Sequence, residues 1–169
     1  MITEAQETQL AALLDESACR SLLERYTYAI DWLNWPGLVA LFWEDAALDF
    51  GAWQGDRAAF IPWVTALEEP CLRRLHMFGA PRIELLGATE ARMEAGALSL
   101  MRLAASEVEA DNGGTDTLYL IRYQFHVQKR GDEWRLSMLR FIPHGSQSFP
   151  GDAAGSADRL TTTHPWFAQ

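Results

Sequence analysis

Basic residues are few: 14 Lys and Arg stand against 23 Asp and Glu, a formal net charge of −9 at pH 7. A phosphate backbone or an anionic lipid surface needs clustered cations, so the sequence predicts no nucleic-acid partner and no membrane attachment. Cysteine is almost as scarce. Cys19 and Cys71 show neither metal-ligand spacing nor a framework pattern, which favours two buried reduced thiols over a disulfide. No set of His, Asp and Glu has metal spacing, so no metal is expected, and nothing in the chain calls for a cofactor. No apolar run approaches the roughly 20 residues of a membrane span. The N-terminus has no basic region followed by an apolar stretch, so no signal peptide is expected. Together these absences predict a cytoplasmic protein whose ligand is a small neutral or cationic molecule, or another protein.

Aromatic residues are plentiful by contrast. Seven tryptophans and eight phenylalanines in 169 residues predict an aromatic-lined interior or interface. A chain of this length fits one domain with a substantial core. Thr3 with Gln6 three residues later is a capping-box signature. A helix follows, with an interruption at Asp15-Glu-Ser17 and a second helical segment over 18–33. Asn34-Trp-Pro36 caps a short helix over 36–43, and 46–50 reads as a strand. Asp56 caps a third helix ending near Leu67, which Pro62 should kink or split.

From Cys71 onward the apolar period changes from helical to alternating. Residues 72–78 and 82–86 read as short strands around a Gly79-Ala-Pro81 bend. Longer extended stretches follow at 91–108, 117–129 and 134–143, with hairpin signals at 111–114 and 129–132. Residues 1–145 form one domain on this reading, and 146–169 a C-terminal arm or partly disordered tail. Helices followed by antiparallel hairpins give an α+β domain, about three N-terminal helices packed on a strongly curved antiparallel sheet. The hollow between helices and sheet is a natural small-molecule site.

The chemistry concentrates in Arg25-Tyr-Thr-Tyr-Ala-Ile-Asp31. Leu22, Leu23, Tyr26, Ala29, Ile30 and Leu33 recur at helical spacing, and Asp31 lies against that apolar stripe. A carboxylate in such a place needs a partner. His76 is the candidate, some 45 residues on. A histidine with a fixed tautomer and a carboxylate on its far nitrogen is the apparatus for taking a proton from carbon. Tyr26 or Tyr28 can donate a hydrogen bond where negative charge develops, and periodicity does not rank the two.

Three stretches resemble the opening of SnoaL-like proteins in the nuclear transport factor 2-like superfamily: Tyr-Thr-Tyr-Ala-Ile-Asp at 26–31, the segment 35–42, and Glu-Asp-Ala-Ala-Leu-Asp-Phe-Gly at 44–51. Leu-His-Met-Phe-Gly at 75–79 with Pro81 and Ile83 resembles that family's histidine strand. Gly-Asp-Glu-Trp-Arg-Leu at 131–136 resembles its penultimate hairpin and last strand. The resemblance implies a cone-shaped fold and an assembly, a homodimer or homotrimer through the outer face of the sheet. It also implies a kinship with three cofactor-free lyases: scytalone dehydratase, bile-acid 7α-dehydratase and hexachlorocyclohexane dehydrochlorinase. On that pattern Asp31, His76 and Tyr26 are catalytic, and Tyr28, Phe50, Trp53 and Phe78 bind substrate. The sequence departs from scytalone dehydratase in having Phe50 at a catalytic tyrosine position, with no second histidine over 91–108. The implied function is a dehydratase-like lyase or isomerase acting on a small hydrophobic cyclic substrate. The alternative is a ligand-binding or assembly subunit, like the small subunit of ring-hydroxylating dioxygenases.

Overall fold

Thr3 opens the first helix as its spacing predicts. Its hydroxyl accepts from the Gln6 N–H while the Gln6 side chain accepts from the Thr3 N–H. In the computed structural model, which describes residues 1–103 and 114–151, this helix is α1 (Glu4–Asp31). The interruption expected at Asp15 is absent. Instead of capping a helix, the Asp15 carboxylate accepts from Trp134 Nε1 at 2.7 Å and from Lys129 Nζ at 3.0 Å. That contact ties the middle of α1 to the far hairpin of the sheet. Leu10, Leu13 and Leu14 are exposed, because the N-terminal part of α1 runs beyond the core.

The end of α1 is fixed with care. Leu33 takes a left-handed conformation (φ 53°), rare for a β-carbon-bearing residue. Its N–H bonds to the Ile30 carbonyl, and the Asn34 N–H reaches the Ala29 carbonyl at 2.8 Å. This doubly bonded closure stops the helix and leaves Asp31 as its last residue. A carboxylate there opposes the helix dipole, so something else must stabilise it.

Next come α2 (Trp35–Val39), β1 (Phe42–Asp49), β2 (Gln54–Asp56) and α3 (Arg57–Glu68). Strand β1 begins where the short helix was expected to continue. Asp56 caps α3 by accepting from the Ala59 N–H at 2.8 Å. Pro62 leaves α3 continuous: it is exposed in the second turn, so the Ala58 carbonyl that loses its partner can turn to water.

The chain then forms β3 (Cys71–Phe78), β4 (Arg82–Leu85), β5 (Glu90–Leu103), β6 (Thr115–Arg130) and β7 (Glu133–Pro150). One sheet has the order β2-β1-β7-β6-β5-β3, with β4 also on β5. It is mixed rather than wholly antiparallel, because β1 leaves the helices alongside the last strand and runs parallel to β7. Strand β7 continues to Pro150, paired with β6 throughout, so residues 146–150 belong to the sheet. The rest of the expected arm, and the loop signal at 111–113, lie outside the described residues. Helices α1 and α3 cover the concave face of the curled sheet, where Leu22, Ile30, Phe42, Phe60, Phe125 and Leu139 are buried. Among the described residues no helix is long and apolar enough to cross a membrane.

Candidate active site

Alternation along β3 sends Arg74, His76 and Phe78 to the concave side and Leu75 and Met77 outward. His76 thereby meets the end of α1. Its Nδ1 lies 2.8 Å from Asp31 Oδ1, and its backbone N–H donates to both carboxylate oxygens at 3.2 and 3.1 Å. The two side chains are 8% and 12% exposed, so the pair is largely desolvated. Three hydrogen bonds to one strand residue offset the poor placement of Asp31 on its helix. An ionised carboxylate only accepts, so Nδ1 carries the ring hydrogen and Nε2 of the neutral imidazole keeps its lone pair.

His76 borders a cavity of about 590 Å³ enclosed by α1, α3, the β1–β2 loop and the sheet. That is within the range of small-molecule sites. One side is an aromatic wall: Phe50 stacks on Phe141 with ring centres 5.3 Å apart, and Trp53 on Trp63 at 4.5 Å. Tyr26 lies in the wall and is buried. Burial, the largest cause, pushes the Tyr26 phenol well above its ordinary value, and the neighbouring Tyr123 and Glu68 add to this. It is a donor at neutral pH.

Two expected substrate contacts lie elsewhere. Tyr28, on the opposite side of α1 from Tyr26, is 43% exposed and packs on Trp32. Two positions along a helix turn a side chain by about 200°, so both tyrosines cannot face one cavity. Phe78 sits behind the wall, with its ring 6.1 Å from Tyr26 and 5.0 Å from Tyr123, and supports those rings without lining the cavity. Phe50 and Trp53 line it as expected.

Three polar groups on the lining were missed. Glu68, at the end of α3, is buried and accepts from Arg74 Nε at 3.2 Å. Burial is the main influence and raises its carboxyl above the ordinary value; the Asp31 carboxylate adds to this, and His76 and Arg74 oppose it. Ser99 on β5 is 1% exposed, and its hydroxyl has no hydrogen-bond partner. Tyr119 on β6 completes the set. A usable signal existed for two of these. Glu68 lies four and eight residues after the buried Val64 and Phe60, on the apolar stripe of its helix. Ser99 interrupts the inward series Met93, Ala95, Ala97, Ser99, Met101. In both cases a polar residue stands on an apolar face, as with Asp31. Among the described residues no three His, Cys, Asp or Glu side chains converge as metal ligands would.

The SnoaL-like domain profile matches residues 11–140. No curated protein sequence matches the chain. Among solved structures it is similar to hexachlorocyclohexane dehydrochlorinase LinA-type3 from Novosphingobium barchaimii LL02, with 17% identity and a TM-score of 0.75 over 88% of this chain and 99% of that one. A candidate scytalone dehydratase from Novosphingobium aromaticivorans DSM 12444 is 17% identical, with a TM-score of 0.73 over 89% and 99% of the two chains. A candidate aromatic ring hydroxylase from Novosphingobium aromaticivorans is 17% identical, with a TM-score of 0.69 over 81% and 94%. At such identities the likeness speaks for the fold. The match over most of its length and the shared cone of helices on a curled sheet make this chain a member of the SnoaL-like family, within the nuclear transport factor 2-like superfamily.

Proposed function

We propose that the protein is a cofactor-free lyase, dehydratase-like, or an isomerase, acting on a small hydrophobic cyclic substrate. The observation that carries this reading is the Asp31–His76 pair at the edge of the aromatic cavity. His76 Nε2 takes a proton from a substrate carbon, and Asp31 holds the ring in the required tautomer and stabilises the imidazolium that forms. The electron pair left behind expels a group from the neighbouring carbon, giving an alkene, or is reprotonated at another carbon. Tyr26 donates to the oxygen on which negative charge develops. A binding or assembly subunit has no use for a desolvated carboxylate aligned on an imidazole.

The substrate is unidentified, so the test reads the proton itself. Wild-type protein in D2O should place deuterium on carbon in members of a panel of cyclic ketones and hydroxyketones, measured by mass spectrometry. His76→Ala should lose nearly all of that exchange. Equal exchange in the two proteins defeats the reading.

We further propose a homodimer or homotrimer built through the outer face of the sheet. Met77, Leu98 and Leu120 are exposed and aligned across β3, β5 and β6, and Leu75 is exposed beside them. Arg122, Gln124 and His126 continue the same face of β6 beyond Leu120, so the apolar strip borders a polar patch. Light scattering that gives a monomer at micromolar concentration contradicts the assembly.

A further inference from the structure

The floor of the cavity carries one polar line. His76 on β3 pairs directly with Ser99 on β5, and Ser99 pairs with Tyr119 on β6. All three border the cavity. Neighbouring strands lie about 5 Å apart, so the backbone positions of these three residues stand at about 5 Å steps across the floor. On the flanking inward positions stand Met101 and Ile121, which offer Ser99 no hydrogen bond.

Ser99 is the anomaly in that line. Buried hydroxyls are nearly always bonded, and an orphan calls for a reason. Its hydroxyl bonds neither to His76 nor to Tyr119. Ser99 borders the cavity, so a staggered well that turns Oγ to the cavity side would offer its hydrogen to a ligand oxygen. An atom one bond from the carbon bearing that oxygen would then lie within about one strand spacing of the His76 position.

Charge narrows the ligand further. The ionisable groups on the described lining are Glu68, His76 and the tyrosines, with no Lys or Arg. Arg74, the nearest buried cation, is committed to the Glu68 carboxylate and to the Glu68 and Cys71 carbonyls. An anionic ligand would meet a carboxylate and no free cation.

We propose that Ser99 is the oxygen-recognising residue of this cavity, so that the substrate is an uncharged cyclic ketone or alcohol whose reacting carbon neighbours the oxygen-bearing one. The proposal rests on the lyase or isomerase reading for the reaction, but oxygen recognition itself is a binding property and is tested as one. A halogenated hydrocarbon without oxygen would leave Ser99 unpaired.

The test uses two probes of one shape, 2-tetralone and tetralin, in equilibrium dialysis against wild type, Ser99→Ala and His76→Ala. Wild type should hold the ketone about ten-fold more tightly than the hydrocarbon, the size of one neutral hydrogen bond. Ser99→Ala should cut that preference several-fold, Tyr26 being left as the other donor to that oxygen, and leave tetralin binding unchanged. His76→Ala should keep it. Binding of neither probe overturns the proposal, as does a ketone preference undiminished in Ser99→Ala. If the preference behaves as stated but wild type exchanges no carbon-bound proton of any oxygenated ligand, oxygen recognition stands and the lyase or isomerase reading fails.

Discussion

Asp31→Asn keeps the shape of the site and removes its charge. The His76 backbone N–H donates to both carboxylate oxygens, at 3.2 and 3.1 Å, and Nδ1 lies 2.8 Å from Oδ1. An amide offers one acceptor oxygen in place of two and brings no charge to stabilise the imidazolium formed on proton abstraction. Turned with its NH2 to the ring, it also moves the ring hydrogen from Nδ1 to Nε2 and takes up the lone pair needed as a base. In hydrolytic triads the same change lowers turnover by about 10⁴-fold, and a loss of that order is expected here in deuterium exchange. Stability should fall as well, because hydrogen bonds to an ionised group contribute about 1.5–3 kcal/mol. For a chain of this size that lowers the melting temperature by about 3–12 °C. A variant that is folded by circular dichroism and exchanges within a few-fold of wild type refutes the orienting role.

Glu68→Gln should change how stability depends on pH. A carboxyl whose value is raised on folding, mainly by burial, holds its proton in the native state after the unfolded chain has lost it. Wild type therefore loses stability as pH rises from the ordinary value of 4.5 through the raised one. The melting-temperature difference, Glu68→Gln minus wild type, should grow over that window and flatten above it; a difference that shrinks contradicts the raised carboxyl. Asp15→Ala should leave the Trp134 N–H and the Lys129 ammonium without their partner. A loss of about 2 kcal/mol, or about 4–8 °C in melting temperature, is expected, with Asp15→Asn losing less. No change in thermal melts for Asp15→Ala would mean the contact ties nothing together.

Much of the fold was legible because its signals are local. The capping box at Thr3, the cap at Asp56 and the alternation from Cys71 onward each sit within a few residues. The joining of Asp31 to His76 was legible only through the family pattern, since no local rule links a helix end to a strand 45 residues away. The misreadings share a cause in contacts between distant elements. Asp15 resembles a cap in sequence because its real partner, Trp134, comes 119 residues later. Strand β1 runs parallel to β7 because the first strand meets the last, which no neighbouring turn announces. Tyr28 failed for the opposite reason: helical angle alone separates it from Tyr26. Glu68 and Ser99 were visible as polar residues on apolar faces, the same anomaly that singled out Asp31.

Asp31 and His76 should work as one unit, and a double-mutant cycle on deuterium exchange tests that most directly. Exchange rates are measured for wild type, Asp31→Asn, His76→Ala and the double variant. If Asp31 acts through His76, removing the imidazole leaves the carboxylate nothing to do. The double variant should then be no slower than His76→Ala alone, within a factor of about three. Losses that multiply, so that the double variant falls by the product of the two single effects, would show independent roles and contradict the account.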